Sequence, residues 1–512
     1  MLSKVKSFGL KGIEGYPIDI EADVGNGLPH FEIVGLADTA IKEAKERVRS
    51  AIKNSAFEYP TKRITINLAP ADIKKEGALY DLAMAVAILS CNSEYKIKNE
   101  DKFVYIGELS FDGSVKPVRG VLPLLISARE LGYKNIIIPL GNKEEASYIT
   151  NINVYGVKSL RQTISFLCGE EELEQIKSCE YSSLQNNDDY DGLDFANVKG
   201  QAMAKRALEI AAAGGHNLLM VGPPGSGKSM LAKCFPSILP DMTFEEALEV
   251  TKIHSIAGEL DLKKGIVSTR PFRSPHHTAS TVSLTGGGAN AKPGEISLAD
   301  NGVLFLDEFP EYSRQTIETL RQPLEDGVIT VARSNATITY PANFTFIASM
   351  NPCPCGYRGS KDRECHCPPS KINRYLAKLS GPIMDRIDIH IEVDNVTYEQ
   401  LRSEEKEESS KEIRQRVNKA RALQAERFKN SKNFCNAKMS VAQTKKYCKL
   451  DSMGEAMLEN SFNSLKLSAR AHDRILKVAR TIADLEGCQN IEARHIAEAI
   501  SYRNLDRKLW KE

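Results

Sequence analysis

No stretch of this 512-residue chain holds 18 apolar residues in succession, so the sequence offers no hydrophobic membrane-spanning helix. The opening MLSKVKSFGLKG also lacks an apolar run of signal-peptide length, and the expectation is a cytoplasmic protein with no membrane partner. Net charge is nearly absent: 68 Lys+Arg stand against 67 Asp+Glu, a formal +1, so the whole chain gives no reason to expect a polyanion partner. The eleven cysteines are an odd number, and Cys91, Cys168, Cys234 and Cys488 stand singly in apolar surroundings. That pattern suits reduced thiols in a core better than a secreted disulfide framework.

What is present is an ordinary globular composition, 42% hydrophobic and 26% charged, with length for roughly three domains. Charge is uneven along it. From Lys411 to Glu512 there are 22 Lys+Arg and 12 Asp+Glu, a local excess that can hold phosphates or can simply belong to a solvated helical domain. Two polar breaks divide the chain, Glu180 to Gly192 and the charge run from Ser403 to Glu412. Strand-like runs (ITINLAP, NIIIPL) alternate with helical patterns before the first break, and strands alternate with helices between the breaks. After the second, SARAHDRILKVARTIADLEG has helical periodicity closed by a glycine. The fold class is α/β with a parallel sheet, an α+β domain before it and a helical domain behind.

NLLMVGPPGSGKSMLAKCF joins an apolar strand to a helix through a loop that fits G-x-x-x-x-G-K-[ST]. Gly222, Pro223, Pro224, Gly225, Ser226 and Gly227 would curl their backbone around phosphate oxygens at a helix N-terminus. Lys228 would reach the β- and γ-phosphates of ATP, and Ser229 would ligate Mg²⁺. About eighty residues on, GVLFLDEF is a buried strand ending in Asp307, suited to the Mg²⁺ shell, and Glu308, suited to polarise water. Asn351 ends the strand FTFIASMN and could position water or sense the γ-phosphate. Arg386 in GPIMDRIDIHIEV could reach a neighbouring subunit's nucleotide, and Arg470 in LSARAHDR could close the helical domain over it. Either arginine alone would more often be a surface ion-pair former.

The order of P-loop, LDEF, strand-terminal Asn, DRID and helical Arg resembles an AAA+ ATPase. RPFRSPHHTAS, GGGANAKPGEISLADNGVLFLDEFPE and ASMNPCPCGY narrow the resemblance to the magnesium-chelatase-like branch and, within it, the ComM/YifB family of bacteria. The resemblance spans essentially the whole chain. It implies a homo-oligomeric ring, a hexamer, whose sites combine Lys228, Ser229, Asp307, Glu308 and Asn351 of one subunit with Arg386 of the next, and it gives Arg470 its sensor role. The domains expected are an inactive Lon-protease-like (S5-like) domain over 1–170, a linker over 171–193, an AAA+ core over 194–395 and a helical lid over 396–512.

The Lon likeness raises a second chemistry and removes it. The segments matching the serine and lysine stretches of Lon are KKEGALYD and RGVLPLL, which place Leu79 and Leu122 at the nucleophile and base positions. Leucine can neither attack a carbonyl nor take a proton, so peptide hydrolysis is not expected.

Three features lie outside the nucleotide motifs. EDGVITVARSNATITYP reads as a hairpin with Arg333 near its tip, a DNA-phosphate contact or an exposed arginine without a ligand. RPFRSPHHTAS gathers two arginines and two histidines in what we read as a structural or substrate loop. Cys353, Cys355, Cys365 and Cys367 form two C-x-C pairs, open to three readings: a closed structural zinc site, a reduced cluster, or a redox disulfide. The function expected is a DNA translocase of branch-migration type, acting in natural transformation or recombination. Its rivals are a chelatase-type motor, disfavoured by the extra domain and the missing D-x-S-x-S, and a protein remodeller, for which no aromatic pore motif is evident.

Overall fold

The structure is a computed structural model. It describes every residue except 76, 182–191, 289–290, 334–335, 360–362, 403–405, 430, 432–433, 466–467, 504 and 506–512. Ten of the 23 residues of the expected linker and the start of the charge run thus lie outside the described residues.

The chain divides into two compact units, the first formed by Met1–Leu184 with Phe244–Ser268 and the second by Gln185–Thr243 with Thr269–Glu512. The first carries a seven-stranded mixed sheet. Its strands are β1 (Leu2–Lys11), β2 (Glu14–Gly25), β3 (His30–Val34), β4 (Arg63–Ala69), β5 (Phe103–Tyr105), β6 (Asn135–Pro139) and β7 (Asn153–Val157), in the order β3-β4-β2-β1-β5-β6-β7. β1 and β2 form an antiparallel hairpin, Leu2 opposite Asp23 through Lys11 opposite Glu14. The helix Asp81–Ser90 has no polar face, and its residues from Asp81 to Leu89 are buried. A helix apolar all round belongs inside a core. Its buried Asp81 is answered by Arg47, Nε to Oδ2 at 2.7 Å.

Leu122 lies in the helix Val121–Glu130 and is fully buried, while Leu79 packs half-buried against the core. Both leucines contribute to packing and bring no reactive group. The Leu122 N–H donates to Glu145 Oε1 at 2.9 Å, placing a carboxylate at the N-terminus of its helix, where the backbone donors favour an anion.

Glu145 also anchors the inserted segment. Ser255 of the helix Phe244–Ala257 bonds the Glu145 carboxylate and accepts the Gly120 N–H at 2.9 Å. The Thr251 hydroxyl accepts the Val267 N–H at 2.9 Å and turns the chain back. The domain expectation had assigned 244–268 to the nucleotide-binding core by continuity along the chain. These tertiary hydrogen bonds instead hold it on the first unit.

The second unit is built on a five-stranded parallel sheet. In chain order its strands are β8 (Leu218–Val221), β9 (Phe272–Arg273), β10 (Val303–Leu306), β13 (Thr345–Met350) and β14 (Ile389–Glu392). Their spatial order is β9-β10-β13-β8-β14, every pair parallel. β8, β10 and β13 are buried along their whole length, which explains their unbroken apolar sequences. Between β10 and β13 lies the hairpin β11 (Val328–Arg333) and β12 (Ala336–Pro341), Val328 opposite Pro341 and Arg333 opposite Ala336. Its tip and the Arg333 side chain lie outside the described residues.

Behind the sheet come the helices Ser410–Arg427, Val441–Tyr447, Ser452–Leu465, Ala469–Leu485 and Ala493–Ser501. The first starts at a capping box, Ser409 with Glu412. Ser410 Oγ accepts the Phe195 N–H at 2.8 Å, fixing the helical region to the beginning of the core.

Candidate active site

In open parallel sheets, ligands bind beyond the carboxyl ends of the strands, where successive crossovers diverge. The motif residues assemble at that edge. β13 runs between β8 and β10, so the loop after β8 faces the ends of both other strands. Gly225 and Gly227 take φ of +81° and +87°, the left-handed turns that a curled phosphate loop needs. The helix Lys228–Cys234 follows at once.

Lys228 is buried, and its ammonium donates into the loop it would otherwise leave open. Nζ reaches the carbonyls of Gly222 at 2.9 Å and Pro223 at 2.7 Å, Ser226 Oγ at 3.3 Å and Asn351 Oδ1 at 3.4 Å. Burial pulls its pKa down to about 8, opposed by the nearby charges of Asp307 and Glu308. A desolvated ammonium among neutral acceptors is poised for an anion. Ser229 Oγ donates to Asp307 Oδ2 at 2.6 Å. Asp307 Oδ1 takes the Ser349 hydroxyl and, at 3.0 Å, the Glu308 N–H. This carboxylate is aimed from three sides, and with the Ser229 hydroxyl it would offer Mg²⁺ the hard oxygen ligands that ion prefers.

Glu308 has a left-handed backbone, φ +51°, rare for a residue with a side chain, and it remains exposed. His277 was read from sequence only as part of a loop. Its Nδ1 stands 3.8 Å from Glu308 Oε2, and its ring is edge-on to Tyr312. Arg273 of the same loop pairs with Glu295, Nε to Oε2 at 2.6 Å, a structural use of one of the loop's cations.

The two remaining arginines sit differently. Arg386 is buried, its guanidinium on Glu325 and on the Pro382 carbonyl at 2.6 Å. Arg470 is exposed at the start of the helix Ala469–Leu485. One turn further, Arg474 ion-pairs with Asp388 and donates to the Arg386 carbonyl at 3.2 Å. Asp388 Oδ2 also lies 3.2 Å from His216 Nδ1, and His216 Nε2 is 2.8 Å from Thr481 Oγ1. Burial, with Lys477, Arg474 and Arg421 nearby, holds the His216 pKa well below the ordinary imidazole range, so the ring is neutral. The anchor between helical region and sheet is therefore His216, Asp388 and Arg474.

The C-terminal basic excess is partly internal. Arg416 pairs with Glu209, Arg427 and Arg480 with Asp484, Arg474 with Asp388 and Arg494 with Glu486. Arg427, Arg474 and Arg480 are largely enclosed and hold the helices together, whereas Arg416 and Arg494 remain exposed.

The four cysteine sulfurs converge. Sγ of Cys353 is 3.4 Å from that of Cys355 and 3.5 Å from that of Cys365, and Cys355 to Cys365 is 3.6 Å. All four, Cys367 included, lie within 4.8 Å of one another. A tetrahedral site with Zn–S of about 2.3 Å has sulfur-to-sulfur edges of about 3.8 Å, so the donor set fits zinc. The Tyr357 backbone N–H draws the Cys355 thiol down to about 7, while burial raises that of Cys353.

Family models agree with this geometry. Residues 194–401 match magnesium chelatase, subunit ChlI; 20–142 match subunit ChlI of Mg-chelatase; and 407–503 match its C-terminal model. The competence protein ComM of Haemophilus influenzae is 43% identical over 513 residues, covering 100% of this chain and 99% of that protein. The protein YifB of Escherichia coli is 44% identical over 512 residues, covering 99% and 98%. A shorter likeness, 29% over 145 residues, joins 27% of this chain to 26% of Lon protease 2 of Bacillus subtilis. Full-length identity at this level, on a sheet that gathers the P-loop, Asp307 and Asn351 at one edge, makes the chain an AAA+ protein of the ComM/YifB family.

Proposed function

We propose that the protein is a Mg²⁺-dependent ATPase that assembles as a ring, a hexamer, and uses hydrolysis to move DNA strands, as a translocase of branch-migration type in natural transformation or recombination. The observation that carries the ATPase reading is the junction of Lys228, Ser229, Asp307 and Asn351 at the sheet edge.

Lys228 exchanges its loop carbonyls for the β- and γ-phosphates of ATP. Ser229 and Asp307 would hold Mg²⁺, which would neutralise phosphate charge. Glu308, exposed beside them, orients and polarises the attacking water, and Asn351 holds that water or reads the γ-phosphate. Arg386 acts on the neighbouring subunit's ATP, which requires its release from Glu325. Arg470, exposed at the head of the lid helix, senses the nucleotide from the same subunit. Zinc on the four cysteines is structural, because four sulfurs leave no position for a substrate.

DNA as the partner is supported by the relative named for competence and by the hairpin β11–β12, whose Arg333 is the proposed phosphate contact. No helix among the described residues is long and apolar enough to cross a membrane. The deciding experiment is the ATPase rate with and without DNA; stimulation by polypeptide or by a chelatase partner alone would select one of the rival readings.

A further inference from the structure

The four-cysteine loop is not a remote appendage. It begins two residues after Asn351, the residue that accepts a hydrogen bond from Lys228. It returns into the helix Pro369–Leu376, whose Tyr375 is buried. Between these ends, Gly356 lies against the phosphate loop itself. Its φ is +85°, and a Cβ placed on it would stand 2.6 Å from Pro224 Cδ. The turn that presents Gly356 is closed by its own N–H on the Cys353 carbonyl at 2.9 Å, inside the sulfur cluster. Cys353 is fully buried at the base of this turn.

We propose that zinc bound by Cys353, Cys355, Cys365 and Cys367 braces the phosphate loop through Gly356 and Pro224, so that zinc occupancy sets nucleotide affinity. The inference rests on the ATP-site reading above and adds a regulating metal to it. A metal that ties both ends of the loop removes its conformational freedom in advance. Without it, the wall beside Pro224 and the position of Asn351 must be ordered when nucleotide arrives, and that entropy is subtracted from binding. A tenfold loss of nucleotide affinity corresponds to an ordering cost of about 1.4 kcal/mol.

The test uses the full chain. Zinc content is measured after dialysis, zinc is then stripped with a selective chelator while Mg²⁺ is kept, and a fluorescent ATP analogue is titrated before, after and upon zinc return. The expected result is one zinc per chain, a nucleotide Kd that rises about tenfold on stripping and recovery on return. Thermal unfolding is followed throughout. Because stripping can unfold the chain, Gly356→Ala is measured alongside: it keeps all four sulfurs and should retain zinc while losing nucleotide affinity. A chain that takes up no zinc, a stripped folded chain with unchanged Kd, or a Gly356→Ala variant with native Kd would each overturn the brace. Lys228→Ala separates the two readings, because native nucleotide binding by that variant would refute the ATP site itself.

Discussion

Ser229 Oγ donates to Asp307 Oδ2 across 2.6 Å, joining the first turn of the phosphate-loop helix to the end of a strand 78 positions away. Two of the proposed Mg²⁺ oxygens are thus already side by side, and the neighbouring Lys228 and Asn351 complete the proposed nucleotide site. Four expectations follow from that arrangement and its supports.

Lys228→Ala removes the ammonium that the loop encloses. Charge-assisted hydrogen bonds to phosphate contribute about 1.5–3 kcal/mol each, so nucleotide affinity should fall by at least tenfold, and turnover should vanish at millimolar ATP. Fluorescent nucleotide titration and phosphate release measure the two effects separately.

Nucleotide affinity should fall as pH rises through about 8. The sign follows from linkage: burial sets the Lys228 pKa near 8 in the free protein, phosphate would raise it, and binding then takes up a proton above that pH. Affinity measured between pH 7 and 9.5 should decline toward a limit of about tenfold per unit, and Lys228→Ala should flatten the profile.

Glu308→Gln should bind ATP normally and hydrolyse it about 10²–10⁴ times more slowly, the usual contribution of a positioned base. Asp307 keeps its contacts with Ser229 and Ser349 in this variant, so Mg²⁺ retention should be unchanged. Normal turnover would remove Glu308 from its role.

Arg474→Ala should lower stability by about 3–5 kcal/mol, because it leaves buried Asp388 without its cation. Urea unfolding measures this, and the cost should be far from additive with Asp388→Asn, since both changes break one pair. A loss below about 0.5 kcal/mol would show that the pair is no anchor.

What could be read from sequence was what the chain keeps local. The phosphate loop is one continuous strand, turn and helix, and Asp307, Glu308 and Asn351 each end a strand whose apolar run announces it. The hairpin β11–β12 was likewise visible as two alternating runs around a short turn. The anchor was not, because His216, Asp388 and Arg474 are separated by 172 and 86 positions and meet only in the folded core. Nor was the attachment of Phe244–Ala257 to the first unit, which depends on Ser255 finding a carboxylate 110 residues earlier. The basic excess of the last hundred residues left two readings open, since charge counts do not distinguish an arginine facing solvent from one paired with Asp484.

The most direct test of the DNA motor is the ATPase rate of the intact protein, measured with no DNA, single strand, duplex and a four-way junction, with Glu308→Gln as the background. Strong stimulation by one of these DNA forms is expected. A rate indifferent to all four conditions, in protein that hydrolyses ATP above the Glu308→Gln background, would contradict it.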